Sequence, residues 1–236
     1  MSETPLEHRV QRLEDHHAIT QLMNRRAYLH SAGLHAREIE ECWAKETPGV
    51  TLEAEDWGVW EGAESIRKAY VDGAPPVVPG MLIEHCVTTG VVEVAGDRRT
   101  AKGVWISPGH ETLSRPGERP IPHWSWGRYG VDFVREGEHW KIWHLHIYTT
   151  FRTPYDTDWV ESSVNRPAHF PKLGETVPGM HPPDREVTFN QPYSVHKAPA
   201  LQPEPPKPYD SFDETTSYTD KPAHVQRANS NEDGDQ

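Results

Sequence analysis

Cysteine is scarce in this 236-residue chain: Cys42 and Cys86 are the only two, and neither has a CxxC neighbour. A disulfide framework or a cysteine zinc site is therefore not expected. Basic residues are also few, with 24 Lys+Arg against 36 Asp+Glu and a formal net charge of -12. Nucleic acid and anionic membranes call for a basic surface, so neither is an expected partner. No apolar run approaches the roughly 18 residues of a membrane span. The start, "MSETPLEHRV", has no basic-then-apolar leader pattern, and a cytoplasmic protein is expected. GxGxxG, P-loop and nucleophile-elbow patterns are missing too, which leaves nucleotide chemistry and serine hydrolysis without support. No internal repeat is visible.

What is present falls into two parts. Up to Phe151 helix and strand signals alternate; beyond it, proline is dense and six aromatic residues are scattered between Trp159 and Phe212. Proline excludes long helices and central strands. The expected organisation is a domain over 1–151, an extended proline-rich arm over 152–225 laid on the domain or on a neighbouring subunit, and a disordered tail over 226–236. Within the domain, Thr4, Pro5 and Glu7 open a helix whose apolar stripe (Val10, Leu13, Ile19, Leu22, Met23, Leu29) runs to a stop at Gly33. A shorter helix follows in "HAREIEECWAKE", then a strand pair in "VTLEAEDWGVWEG" and a third helix in "AESIRKAYVDG". Four strands are expected at 82–95, 99–107, 123–135 and 139–151, with "AGDR" and "REGEH" as hairpin turns. Helices first and antiparallel strands afterwards make an α+β domain with the helices on one sheet face.

The last strand, "WKIWHLHIYTTF", carries the most informative pattern. Strict alternation puts His144, His146 and Tyr148 on one face with Trp140 and Ile142, and Trp143, Leu145, Ile147 and Phe151 on the other. Both faces are largely apolar, so the polar trio needs partners or a ligand. His144 and His146 have metal-ligand spacing, for which His85 or Glu111 would supply a third ligand; no metal is assigned. His16 and His17 read as a wet helix face. Arg128 offers a site for a carboxylate or phenolate, or a partner for Asp132 on the same strand face.

Element order, together with "GVWEGAESIRKAY", "EHCVTTGVVEVAGDRRTAKGVW" and "WGRYGVDFVREGEHWKIWHLH", resembles the SnoaL-like branch of the nuclear transport factor 2-like superfamily over residues 8–151. The resemblance implies a cone in which a curved antiparallel sheet wraps around the N-terminal helices and leaves an apolar pocket. Members include dehydratases, isomerases, cyclases and non-catalytic scaffolds, so fold alone leaves function open. In the dehydratase members a tyrosine and an aspartate on the first helix face histidines from two strands. Tyr28 matches the tyrosine, and His85 and His110 match the histidines. The aspartate has no counterpart in "AYLHSAGLH", where His30 and Ser31 stand nearest.

These matches imply acid-base chemistry without a cofactor. Histidine transfers protons at neutral pH and a tyrosine hydroxyl orients a phenolate or enolate, which suits elimination and isomerisation. The expected activity is a lyase acting on a hydroxylated, lignin-derived aromatic of diarylpropane type, losing water, formaldehyde or both through a quinone methide. That resemblance to cofactor-independent lyases of the superfamily is one of overall character: tryptophan- and histidine-rich domain plus long arm. Catalytic candidates are Tyr28, His30, His85, His110, His146 and Arg128. Substrate-binding candidates are Trp43, Trp60, Trp105, Trp126, His144 and Tyr148, with Trp57 and Trp124 among the possible stacking surfaces. His144, His146 and Tyr148 are expected to wall the pocket opposite Tyr28 and His30. A ligand-binding or assembly domain and a dehydratase or isomerase of polyketide- or steroid-like substrates are the alternatives. The partner is a small aromatic substrate, and a bare outer sheet face predicts a homo-oligomer, dimer or trimer.

Overall fold

A computed structural model describes residues 5–54, 57–73, 77–113, 119–165, 181–187 and 191–219. The Thr4 cap and the 226–236 tail lie outside the described residues.

Helix α1 (Leu6–Ser31) buries Asp15, Ile19, Leu22, Met23, Arg26 and Leu29, three or four residues apart along one face apart from the adjacent Leu22 and Met23. Gly33, at φ 66°, then lets the chain reverse into α2 (His35–Cys42), which ends earlier than expected because Trp43 turns extended and bridges Ile142. Strands β1 (Thr51–Ala54) and β2 (Gly58–Glu61) pair antiparallel, and α3 (Gly62–Arg67) continues into a π-helical turn, Lys68–Asp72. The expected strand at 82–95 is two: β3 (Leu82–His85) and β4 (Thr88–Val94), both antiparallel to β5 (Thr100–Leu113). Long strands β6 (Ile121–Glu136) and β7 (His139–Pro154) complete the sheet, which runs β2-β1-β7-β6-β5-β3. The first strand pair thus joins the main sheet through a parallel β1–β7 contact. A short helix, α4 (Trp159–Asn165), follows. Helices and the inner sheet face enclose one apolar core containing Ile19, Met23, Leu52, Trp60, Val131, Phe133, Ile142 and Leu145. Among the described residues no helix is long and apolar enough to cross a membrane.

The alternation expected along the last strand breaks in the middle. Phe133 pairs with Ile142 and Asp132 with His144, so Trp143 is left over as a β-bulge. A bulge shifts the side-chain parity by one residue. Trp140 and Ile142 therefore face the core along with Leu145 and Ile147, while His144, His146 and Tyr148 face the opposite way.

That outer face is not bare. Residues 202–219 of the arm lie across it, and Asp132, fully buried, is the centre of the contact. Its carboxylate accepts from Lys102 Nζ (2.8 Å), His144 Nδ1 (3.0 Å), Ser217 Oγ (2.6 Å) and the Tyr218 backbone N–H (3.2 Å). Burial pushes the Asp132 pKa up, but the His144 hydrogen bond and the Lys102 charge outweigh it and hold the carboxyl below its usual range. Lys102 also donates to Thr216 O and faces the rings of Tyr209, Phe212 and Tyr218. His146 Nδ1 and the Tyr148 hydroxyl both donate to Tyr218 O, at 2.6 and 3.0 Å. Arg128 donates to Gln202 O rather than pairing with Asp132. An earlier stretch of arm, 181–187, closes the β2 edge, where Val59 pairs with Arg185.

Asp132→Ala leaves Lys102 buried beside unsatisfied donors and is expected to cost about 3–5 kcal/mol in urea unfolding, the range for breaking a buried ion pair. His146 supplies a pH signature. Burial lowers its pKa to about 3, against roughly 6.5 in the unfolded chain. The unfolded chain takes up a proton below pH 6.5 that the folded chain refuses, so this contribution to stability is complete above about pH 6.5 and is lost as pH falls toward 3. His146→Gln should flatten the stability slope between about pH 6.5 and 4.5, followed as unfolding midpoints across that window.

Candidate active site

A cleft enclosing about 560 Å3, part of it open to solvent, opens on the inner sheet face between α1, the Lys68–Asp72 turn and strands β3, β5, β6 and β7. Its lining includes His30, Trp57, Tyr70, His85, Glu111, Trp126 and Arg152.

Two histidine–carboxylate pairs face each other here. In the first, His30 Nδ1 donates to Glu38 Oε2 at 2.9 Å, and His35 Nδ1 approaches the same oxygen at 3.4 Å. The other oxygen of Glu38 lies 3.0 Å from Arg26 Nε in an ion pair buried on both sides. Burial alone would raise the Glu38 pKa; Arg26 first and His30 second hold it well below the usual carboxylate range. The His30 pKa is lowered as well, which for an imidazole favours the neutral form. Burial dominates over Glu38 and lowers its pKa to about 4, so its imidazole is neutral at neutral pH. With Nδ1–H committed to Glu38, Nε2 is the basic nitrogen.

In the second pair, His85 Nε2 lies 3.1 Å from Glu111 Oε1, and Arg152 holds the other oxygen of that carboxylate. Burial would raise the Glu111 pKa, but Arg152 and then His85 keep it below the usual range. Gly109 makes room for this histidine: a Cβ there would lie 2.6 Å from His85 Nδ1. The His30 and His85 rings are 5.8 Å apart between centroids. Tyr70 stands 6.1 Å from His30, its pKa raised by burial so that it stays a neutral hydroxyl. Arg152 lies over the Trp57 ring, and Trp126 stacks on Phe151 at the rim.

The predicted residues divide sharply. His30, His85 and Trp126 come together in the cleft, with Trp57. Tyr28 does not: it is 82% exposed, two residues past Arg26 and so on the opposite side of α1. His110 points to the outer face and packs on Trp124, while the next residue, Glu111, points in. His144, His146, Tyr148 and Arg128 lie under the arm rather than opposite His30. Trp43, Trp60 and Trp105 are core residues. Trp105 lies against Gly90 and Gly103, where a Cβ would meet its ring at 2.4 Å, and Trp60 Nε1 donates to His181 O. Sequence reasoning missed Glu38 as the carboxylate, along with Tyr70 and Arg152. The available signal was His35 and Glu38 spaced i, i+3 on α2, which points both at the end of α1. His30, His35 and Glu38 also have their ligand atoms within 4.8 Å of one another, a grouping able to hold a metal ion.

Comparison with known proteins agrees with this architecture. No curated protein matches the chain. Among solved structures, a candidate scytalone dehydratase from Novosphingobium aromaticivorans DSM 12444 superposes with a TM-score of 0.50 at 14% identity, covering 62% of this chain and 91% of that one. A type 3 hexachlorocyclohexane dehydrochlorinase from Novosphingobium barchaimii LL02 gives 0.51 at 17%, covering 63% and 95%. A type 2 enzyme of the same name gives 0.52 at 17%, covering 63% and 94%. At these identities the likeness is one of fold. The SnoaL-like domain model matches residues 11–146, more than half of the chain, and with the helix order, sheet topology and enclosed cleft already described it places the protein in the SnoaL-like domain family.

Proposed function

We propose that the chain is a lyase that eliminates a small leaving group from an oxygenated aromatic molecule by acid-base chemistry. The observation that carries this is the pair of histidine–carboxylate dyads, His30–Glu38 and His85–Glu111, facing each other with ring centroids 5.8 Å apart. Elimination needs one group to take a proton and another to deliver one to the leaving atom, and both must reach the same substrate. His30, neutral and oriented by Glu38, is the base; His85 is the donor. Trp57 and Trp126 supply apolar walls for an aromatic ring. Dehydratases and dehydrochlorinases among the structural neighbours are consistent with a lyase.

The substrate class we propose is a lignin-derived phenol of diarylpropane-1,3-diol type. In the first step the phenol O–H gives its proton to His30 while the benzylic C–O bond breaks and His85 protonates the departing hydroxide, leaving water and a quinone methide. In the second, the hydroxymethyl O–H loses its proton, the adjacent C–C bond breaks, and its electron pair restores the aromatic ring as formaldehyde leaves. The products are a stilbene, water and formaldehyde, with no change in overall oxidation state. Hydroxyl groups lost as water alone would stop at the first step.

Incubation of the purified protein with phenolic 1,3-diols, read by mass spectrometry, should show loss of water or formaldehyde. His30→Ala and His85→Ala should each lower kcat by about 10²- to 10⁴-fold, the usual range for a general acid or base. Binding without turnover across the panel would instead make the chain a ligand-binding domain. The pH profile separates the roles. The lowered pKa of His30 keeps it deprotonated on the acid side, so kcat/KM should hold below pH 6.5 and reach half its value near pH 4. Half-loss near pH 6.5 would exclude His30 as the base.

A further inference from the structure

The floor of the cleft is built from small residues, of which only Gly109 touches a histidine pair. Ser107 on β5 pairs with Gly127 on β6, which pairs with Thr149 on β7; one row along, Gly109 pairs with Ser125. Ser107, Ser125, Gly127 and Thr149 all line the cleft. Neighbouring strands lie about 4.8 Å apart and residues facing one way about 6.8 Å apart along a strand, so this floor has the footprint of a single six-membered ring. Trp57, Trp126, His30 and His85 line the same cleft.

Small residues alone would leave only a recess. The second observation is chemical: Ser107 is 2% exposed and its hydroxyl has no hydrogen-bond partner among the described residues. A buried hydroxyl without a partner is costly, and the paired backbone of β5 and β6 offers it nothing. Ser107 lies two residues along β5 from Gly109, against which His85 rests. A ring placed on that row with an oxygen at Ser107 extends across β6 toward Thr149 on β7.

We propose that Ser107 is a binding residue for the ring oxygen of a phenol-type ring lying flat on the Ser107–Gly127–Thr149 row. This deepens the lyase reading by naming the group that is recognised and its orientation. It also explains a choice of residue: an alanine would fill the same space without the unsatisfied hydroxyl, so the hydroxyl has a use only when a ligand is present.

The test uses p-cresol and toluene, two probes of matched shape that differ in one ring oxygen and have no leaving group. Their binding to the full-length protein is read by quenching of tryptophan fluorescence. Wild type should bind p-cresol at least fivefold more tightly than toluene. Ser107→Ala should bring that ratio close to one, leave toluene binding unchanged, and keep or raise the melting temperature. A preference for p-cresol that survives Ser107→Ala would overturn the proposal, with the hydroxyl then satisfied by water alone; so would a wild type that binds neither probe. Because neither probe can be turned over, loss of the preference in Ser107→Ala would sustain the subsite even if the diol panel showed no lyase activity.

Discussion

Glu38 is the constraint on which the site depends. A carboxylate that is 1% exposed survives in a protein interior only when cations and donors surround it. Here Arg26 comes from three turns into the buried face of α1, His30 from its last turn, and His35 from the start of α2. All three lower the Glu38 pKa and so favour its charged form, and they tie α2 to the end of α1. Exchanging such an ion pair for apolar residues is often neutral or better for stability, so the pair is not explained by stability. What it supplies is geometry. The imidazole of His30 is held by its Nδ1, and its Nε2 is presented to the cleft.

The second charged centre solves a related problem on the other side of the sheet. Asp132, together with Lys102, His144 and the arm, forms a buried polar layer that an apolar contact could have replaced. Its donors come from β5, β7 and the backbone around Tyr218, so it defines where the arm sits in a way that hydrophobic contact alone does not. The sheet therefore carries a charged cluster on each face, with opposite tasks. The inner one keeps groups available to a ligand, and the outer one spends nearly all of its hydrogen-bonding capacity on the chain itself. Burial leaves His146 neutral under the arm and His30 neutral in the cleft by the same mechanism, yet only the second has an open nitrogen beside a cavity.

Much of the fold was legible in the sequence because it rests on local signals. The Gly33 stop, the "AGDR" and "REGEH" hairpins and the order of strands are turn chemistry and periodicity and reappear in the structure, as does the α1 stripe from Ile19 onward, whereas Val10 and Leu13 are exposed. The site was legible only in part, for three separate physical reasons. His85 is on a strand face whose parity holds, and Trp126 reaches the cleft at its rim. Tyr28 was placed by likeness to relatives, although the helical period that buries Arg26 and His30 turns Tyr28 to solvent. The His144–His146–Tyr148 trio was placed by alternation, which is valid until a bulge intervenes, and nothing local to "KIWHLH" announces that Trp143 has no partner on β6. The missing carboxylate was sought within a few residues of His30, whereas the chain supplies it from the next helix, eight residues on. Proximity created by a helix reversal is tertiary information.

The same distinction explains why the tryptophans divide as they do. Trp43, Trp60 and Trp105 satisfy the core, one of them only because Gly90 and Gly103 withdraw their side chains. Trp57, under Arg152, and Trp126, stacked on Phe151, line the cleft instead. On its inner face β6 carries Phe133, Val131 and Tyr129 in the core and then steps down to Gly127 and Ser125 in the cleft. A sheet that continued its large residues to the rim would have closed over both histidine pairs. The cleft thus depends on one step along β6, from Tyr129 to Gly127: large side chains in the core, and small ones in the cleft that the two histidine–carboxylate pairs line.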